Sequence, residues 1–375
     1  MTAGIAVLHV TDASSAGVLS AVTTIARQQS QDPRFSRVVF AYVLRPDSPA
    51  EEVIRAMAGP RVEVQRWSDQ LGPGRLTDLV RVLFRQLRSE SYDVLHLHSS
   101  RAGLLGRWVA LATPHRGRSI YSPHAFAFAY GHWSRPRRMV LLALELLGAL
   151  PARRLVLNSS SEEAIARRCF PRARTAVLVN AVDVARLREL RRSPDPNQPC
   201  FAHVGRIAPA KAPRVFAAVA ELVTERVPGS RGRWLGDGDR TLLGSGPVEV
   251  SGWLTTAELH DRLSATSALL FTSQGEGMPM AVLEAQAMGI PVVGSRVTGV
   301  VDLIDDGENG LLGDTVDELA DALTRVLSDP VLAERLSART RSAAERFDQS
   351  ATAQRSLECY SLLLPGLPVG AGGPS

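Results

Sequence analysis

Short apolar runs alternate with longer amphipathic ones twice along this chain, and Ser193-Pro-Asp-Pro-Asn-Gln-Pro199 parts the two series. Prolines at 194, 196 and 199 break helix and sheet alike. Before the break, Ile5–Val10, Val38–Leu44, Asp93–His98, Ser119–Tyr121 and Arg153–Leu157 read as strands. Gly17–Gln29, Asp78–Arg88 and Arg107–Ala112 read as helices between them. After it the pattern restarts. Strands are expected over Phe201–Val204, Arg233–Leu235, Val248–Val250 and Ala268–Thr272, and helices over Ala212–Arg226 and Thr256–Leu263. Such alternation specifies parallel strands covered by helices, so the expected fold class is α/β with two parallel-sheet domains. In open α/β sheets ligands bind outside the strand carboxyl ends, and two linked sheets would leave a cleft there. A length of 375 residues suits two domains. Their expected extents are 1–192 and 200–345. The Gly- and Pro-rich end, Pro365 to Ser375, reads as a disordered tail.

Of the 43 basic residues only Lys211 is a lysine. A chain so rich in arginine keeps a lysine where a compact point charge serves better than a planar fork. Lys211 follows the strand-like Phe201–Val204 and Gly205-Arg206, which suggests two cations placed for a phosphorylated ligand. The charge is divided: residues 1–193 hold 28 arginines against 15 acids (net +13), and residues 194–375 hold 15 cations against 23 acids (net −8). The first half is therefore expected to meet something anionic. The stretch Trp133 to Arg154, apolar between Arg135, Arg137, Arg138 and Arg153, Arg154, reads either as a core helix or as a helix on an anionic membrane surface. The basic residues are not interleaved with aromatics and no nucleic-acid module is present, which argues against a nucleic-acid partner. A non-enzymatic anion binder is the alternative of another class. Three scattered cysteines, Cys169, Cys200 and Cys359, suggest reduced thiols and a cytoplasmic setting, peripheral to the inner membrane face if the basic half binds lipid. The initial Ile5–Val10 run, with no basic residue before it, reads as a strand rather than a signal.

The densest stretch runs from Ser273 to Pro291. Pro279 suits a helix start, Gly289 its end, and Pro291 stops it. A helix of about ten residues following a glycine-flanked loop offers free N–H groups near Met280 and Ala281 to an anion. Glu276 lies before that tip. Glu284 lies five residues past Pro279, roughly 7–8 Å along the axis. A carboxylate accepts two hydrogen bonds from a vicinal diol, which a sugar or ribose presents.

Glu276-x7-Glu284, preceded by Gly205-Arg206-Ile-Ala-Pro-Ala-Lys211, resembles the retaining nucleotide-sugar glycosyltransferases of the GT-B fold, family four. Leu235-Gly-Asp-Gly238, Val250-Ser-Gly-Trp253 and Val179-Asn-Ala-Val-Asp183 follow the family order. Asp93 to Arg107 and Tyr121-Ser-Pro-His-Ala-Phe126 resemble motifs of its bacterial surface-polysaccharide members. The resemblance implies two Rossmann-like domains facing a cleft, the first for acceptor and the second for donor, with a last helix, about 348–364, packed back on the first. It implies that Arg206 and Lys211 neutralise the diphosphate of a UDP- or GDP-type donor, helped by amides near Met280 and Ala281. Glu284 would hold the ribose. Glu276 and the backbone of Gly277, Met278 and Pro279 would hold the sugar. His124 would reach the sugar from the first domain, Gly17 would allow close backbone approach in the loop after the first strand, and Trp253 lies where the base is contacted. His124, Glu276, Arg206 and Lys211 form the catalytic set this implies, with no metal and no cofactor.

Three positions depart from the family pattern: Ala16-Gly17 replaces Gly-Gly, Ala212 replaces the glycine after the lysine, and Ala181 replaces a glycine. Asp237-Gly-Asp239 spells a metal motif but sits at a strand end and reads as a turn. His96 and His98 alternate on a strand with no third ligand near in sequence, and read as satisfied or cleft-lining histidines. The expected activity is transfer of a sugar to a lipid-linked or saccharide acceptor in surface-polysaccharide synthesis. The alternative is modification of a small natural product or sugar in secondary metabolism.

Overall fold

The computed structural model describes residues 4–45, 47–68 and 75–364. The tail from Pro365 lies outside the described residues. The chain forms two compact units: one comprises residues up to Ala129, Arg135–Ala181 and the segment from Gln349, the other Tyr130–Ser134 and Val182–Asp348.

The first unit runs β1 (Ile5–Thr11), α1 (Ala16–Gln31), β2 (Phe35–Val43), α2 (Glu51–Ala58), β3 (Glu63–Ser68), α3 (Arg75–Ser89), β4 (Val94–His98), α4 (Ser100–Leu111), β5 (Ser119–Ser122), α5 (Arg135–Ala149), β6 (Arg154–Leu157), α6 (Ser160–Cys169) and β7 (Arg174–Val177). The second runs α7 (Val184–Glu189), β8 (Cys200–Val204), α8 (Pro213–Arg226), β9 (Arg231–Leu235), β10 (Val248–Val250), α9 (Thr256–Ser264), β11 (Ala268–Phe271), α10 (Met280–Met288), β12 (Val292–Ser295), β13 (Leu311–Gly313), α11 (Val316–Ser328) and α12 (Pro330–Ala344). The final helix, α13 (Thr352–Tyr360), packs on α1 of the first unit.

Both sheets are parallel and share one topology. The order is β3-β2-β1-β4-β5-β6-β7 in the first unit and β10-β9-β8-β11-β12-β13 in the second. Helices cover both faces, so the central strands are buried on both sides: β4 and β8 are buried along their whole length. In each sheet the order reverses beside its first strand, which puts the following loops at the switch point of the topology.

The unit boundary falls between Ala181 and Val182, earlier than the proline-rich stretch. The reason lies in the arginines before the prolines. Arg191 donates from Nη1 to the carbonyls of Ser264 (2.7 Å) and Thr266 (2.8 Å), and Arg192 from Nε to Ser264 Oγ (3.0 Å). Helix α7, capped by Asp183, also packs on α10. Charged side chains thus tie residues 183–192 to the second unit, and the prolines lie within it.

Candidate active site

Four non-glycine residues among those described have positive φ: Ser99 (72°), His124 (56°), Ala125 (95°) and Ala212 (47°). Each such residue holds backbone strain that the surroundings must compensate, and strain of this kind gathers at functional sites. Three follow the carboxyl ends of β4 and β5. The fourth adjoins Lys211.

In the second unit the loop after β8 carries Arg206, whose side chain is exposed. Its backbone is zipped to the Leu235–Asp239 turn: Gly205 N–H donates to the Leu235 carbonyl (3.0 Å), Ile207 to Asp237 (2.8 Å), and Asp239 back to Ile207 (3.1 Å). Trp234 Nε1 donates to the Gly205 carbonyl at 2.7 Å. Gly236 and Gly238 make this approach possible, since a β-carbon would lie 2.2 Å from Gly205 O and 2.4 Å from Ile207 O. Asp237 grips Arg240 through two 2.9 Å bonds and Asp239 caps a short helical turn, so the apparent metal motif is a turn.

Lys211 Nζ meets Glu276 Oε1 at 2.5 Å, which brings together two residues 65 apart in sequence. The Lys211 carbonyl accepts from Thr272 Oγ1 (2.9 Å), and Gln274 N–H donates to the Ala210 carbonyl (2.9 Å). Glu276 N–H donates to Thr298 O (3.1 Å), and Gly299 closes on the same loop, where a β-carbon would lie 2.7 Å from the carbonyls of Glu276 and Gly277. Beneath Lys211, 5.5 Å away, lies the Phe271 ring, stacked on His203 (5.2 Å), itself stacked on Trp234 (4.0 Å). Burial, and secondarily the Lys211 charge, push His203 down to about 3, so this floor stays neutral.

Helix α10 begins at Met280 with Pro279 as its N-cap, one position earlier in role than expected, and ends in Gly289 at φ 72°. Pro279 supplies no side-chain cap, and Gly277, Met278 and Pro279 are buried below the tip. Glu284 is partly exposed, with Oε1 3.7 Å from His260 Nε2 of α9, a neighbour the sequence did not reveal. Trp253 is 63% exposed, and no hydrogen bond or ring contact holds its indole among the described residues. The structure therefore clusters Lys211 and Glu276 and fixes the Arg206 loop, but does not draw Trp253 into that cluster.

In the first unit Gly17 lies not in the loop after β1 but in the first turn of α1, where it is exposed. The strained His124–Ala125 pair is clamped by Glu162 near the start of α6: Ala125 N–H donates to Oε1 (2.7 Å) and Asn158 N–H to Oε2 (2.8 Å). Ser99, also strained, donates to Asp12, whose carboxylate takes Arg45 Nη2 at 3.1 Å. No third ligand stands near His96 and His98 in sequence, but the fold brings one: His9, on the neighbouring β1, joins them, with one nitrogen of each lying within 4.8 Å of the others. Pairing of β1 with β4 places His9 opposite His96, which no local sequence spacing reveals.

Residues 198–329 match the family described as glycosyl transferases group 1, and residues 16–186 match glycosyltransferase family 4. The chain is 30% identical over 278 residues to a UDP-Gal:alpha-D-GlcNAc-diphosphoundecaprenol alpha-1,3-galactosyltransferase of Escherichia coli, covering 67% of this chain and 70% of that one. It is 29% identical over 382 residues to a D-inositol 3-phosphate glycosyltransferase of Actinosynnema mirum, covering 92% and 90%. Anabaena HepE, solved with UDP and glucose, superposes with a TM-score of 0.74 at 18% identity, covering 97% of this chain and 100% of that one. A fold of two parallel-sheet units, with the two family matches, defines a GT-B glycosyltransferase. The chain belongs to glycosyltransferase family four.

Proposed function

We propose that the protein transfers a sugar from a UDP- or GDP-type nucleoside-diphosphate donor to a lipid-linked saccharide in surface-polysaccharide assembly, with retention and without a metal. The observation that carries this is the Lys211–Glu276 pair, whose carboxylate lies on the loop leading into a helix with no side-chain cap. Cleaving a sugar–diphosphate bond leaves negative charge on a phosphate oxygen. An ammonium, a guanidinium on a fixed loop and a helix N-terminus stabilise that charge more as it develops than before. Glu276 and the diphosphate compete for the same ammonium. A donor that takes Lys211 leaves the Glu276 carboxylate to accept from sugar hydroxyls. Glu284 is assigned to the ribose, His124 to the sugar, and the second unit to the donor.

The Escherichia coli relative's diphosphoundecaprenol acceptor supports a lipid-linked substrate. So does α5. Met139 (65%) and Val140 (60%) in its second turn and Leu150 (59%) just past its end are exposed, as are Arg135, Arg137 and Arg153. An apolar strip with cations at its ends suits an anionic bilayer face. No helix among the described residues is long and apolar enough to cross a membrane. The inositol-phosphate relatives favour a second reading, a small soluble acceptor.

Thermal-shift titration with UDP and GDP, then their sugar conjugates, tests the donor. Radiolabelled transfer to undecaprenyl-diphosphate saccharides and to small polyols separates the acceptors. Retention on anionic but not neutral vesicles is expected. No stabilisation by any nucleoside diphosphate would end the donor reading.

A further inference from the structure

His9, His96 and His98 are fully buried, and their ring nitrogens are linked rather than merely close. His124 Nε2 lies 2.9 Å from His98 Nδ1, and His98 Nε2 lies 3.0 Å from His9 Nδ1. His9 Nε2 lies 2.8 Å from Gln29 Oε1 on α1, and Gln29 Nε2 donates to the Tyr360 hydroxyl of α13 at 2.9 Å. That hydroxyl lies 3.1 Å from His96 Nδ1, His96 Nε2 lies 2.9 Å from Ser122 Oγ, and Ser122 donates to the Val156 carbonyl at 2.7 Å.

The direction of every link follows from its last member. A carbonyl only accepts, so Ser122 spends its one proton on Val156 and must accept from His96 Nε2–H. A neutral imidazole has one donor and one acceptor, so His96 Nδ1 accepts, and Tyr360 donates to it. Tyr360 then accepts from the Gln29 amide, which leaves Gln29 Oε1 to accept from His9 Nε2–H. His9 Nδ1 accepts from His98 Nε2–H, and His98 Nδ1 accepts from His124 Nε2–H. The Gln29 amide agrees with this polarity: its NH2 group can only donate, which leaves the Tyr360 hydroxyl proton free for His96. Burial pushes His9 and His124 down to about 4 and His96 and His98 well below the ordinary value, so all four rings are neutral at neutral pH.

We propose that these seven hydrogen bonds form a positioning relay that locks His124 in its Nε2–H tautomer and presents Nδ1 to the substrate as an acceptor. Nδ1 of His124 has no hydrogen-bond partner among the described residues, and the strained, Glu162-clamped backbone fixes where the ring stands. His124 thus receives a hydrogen bond from a sugar hydroxyl and gives none from that atom. The last step rests on the reading of His124 as the residue at the donor sugar. The same three buried rings could hold a divalent cation. The relay already uses both nitrogens of each, so a metal would have to displace those bonds.

The test is histidine nitrogen NMR of the full-length protein, labelled at its 8 histidines and assigned by single substitutions. His124 is expected to show a protonated Nε2 and a bare Nδ1. Tyr360→Phe and Gln29→Met touch neither His124 nor donor, keep side-chain volume, and remove the element that sets polarity. In both, the His124 signals are expected to become a mixture of tautomers. Transfer kcat should fall about tenfold with donor KM unchanged. A protonated Nδ1 in the parent protein, or unaltered His124 signals in both variants, would overturn the relay. So would one equivalent of Zn2+ bound with displacement of the ring protons of His9, His96 and His98. The tautomer readout needs no donor. A His124→Ala variant that transfers at the parent rate would remove His124 from the sugar while the nitrogen signals still judge the relay.

Discussion

In the second unit Lys211 and Glu276 meet as a charged pair with 24% and 15% of their side-chain surface exposed, whereas in the first unit His9, His96 and His98 meet with none. Both are clusters of ionisable groups beside strand carboxyl ends. One keeps full charges near water, where a charged ligand can exchange for a protein partner and where desolvation is moderate. The other is too deep for charge, and burial turns its imidazoles into neutral, directional hydrogen-bonding groups. The charged cluster can hold a leaving group. The neutral one can hold an orientation.

The largest expected effect breaks the charged member. Lys211→Ala leaves Glu276 without its cation and, on the proposed reading, removes the charge that meets the developing phosphate. Radiolabelled transfer should fall by about 10²–10³-fold, the scale of losing one preorganised stabilising group. Glu276→Ala should match it in transfer but keep binding of the bare nucleoside diphosphate by calorimetry, because Lys211 is then freed for phosphate. Equal loss of nucleotide binding in both variants would show that the pair serves the loop's structure rather than the donor.

The contrast also explains what the sequence reveals. Arg206 and Lys211 lie within six residues, and Glu276 through Glu284 span one loop and one helix, so local spacing and helix-end chemistry alone point to them. Central strands β4, β8 and β11 are legible for a similar reason: burial on both faces makes them short, mostly apolar runs, broken only by His96, His98 and His203. The relay is assembled from residues 9, 29, 96, 98, 122, 124, 156 and 360, which only sheet order and the return of α13 bring together. Helix α6 and strand β7 leave weak traces too. Arg174–Val177 is short and only half-buried, and Glu162, whose carboxylate clamps the loop, looks like an ordinary first-turn acid.

An intermediate effect probes neutrality. His9 sits at about 4 when folded against an ordinary 6.5. Between those values the unfolded chain takes up the proton more readily, so stability is fully present above 6.5 and drains away as pH falls toward 4. For His9 alone the loss reaches about 3 kcal/mol at the acid end. Urea unfolding from neutral pH down to about 4.5 should show the fall before most carboxylates titrate. A flat profile across that window would mean that water or a counter-charge reaches the cluster, and would erase the distinction between the two regions.

The smallest effect concerns the backbone that delivers Lys211. Ala212 stands at φ 47°, ψ 57° as the N-cap of α8, in a conformation glycine adopts freely. Alanine there costs about 1 kcal/mol in steric strain. Replacement by glycine relieves that strain. It also removes a buried methyl, worth about 0.8 kcal/mol, and loosens the unfolded chain by roughly another 0.4–1 kcal/mol. The three contributions nearly cancel, which accounts for alanine where the family pattern has glycine. Ala212→Gly should therefore shift unfolding stability by no more than about 1 kcal/mol in either direction and leave transfer unchanged. A larger gain would mean that this turn holds more strain than its dihedrals suggest. A loss of transfer at unchanged stability would mean that the stiffness of residue 212, and not only the charge of residue 211, sets where the ammonium stands.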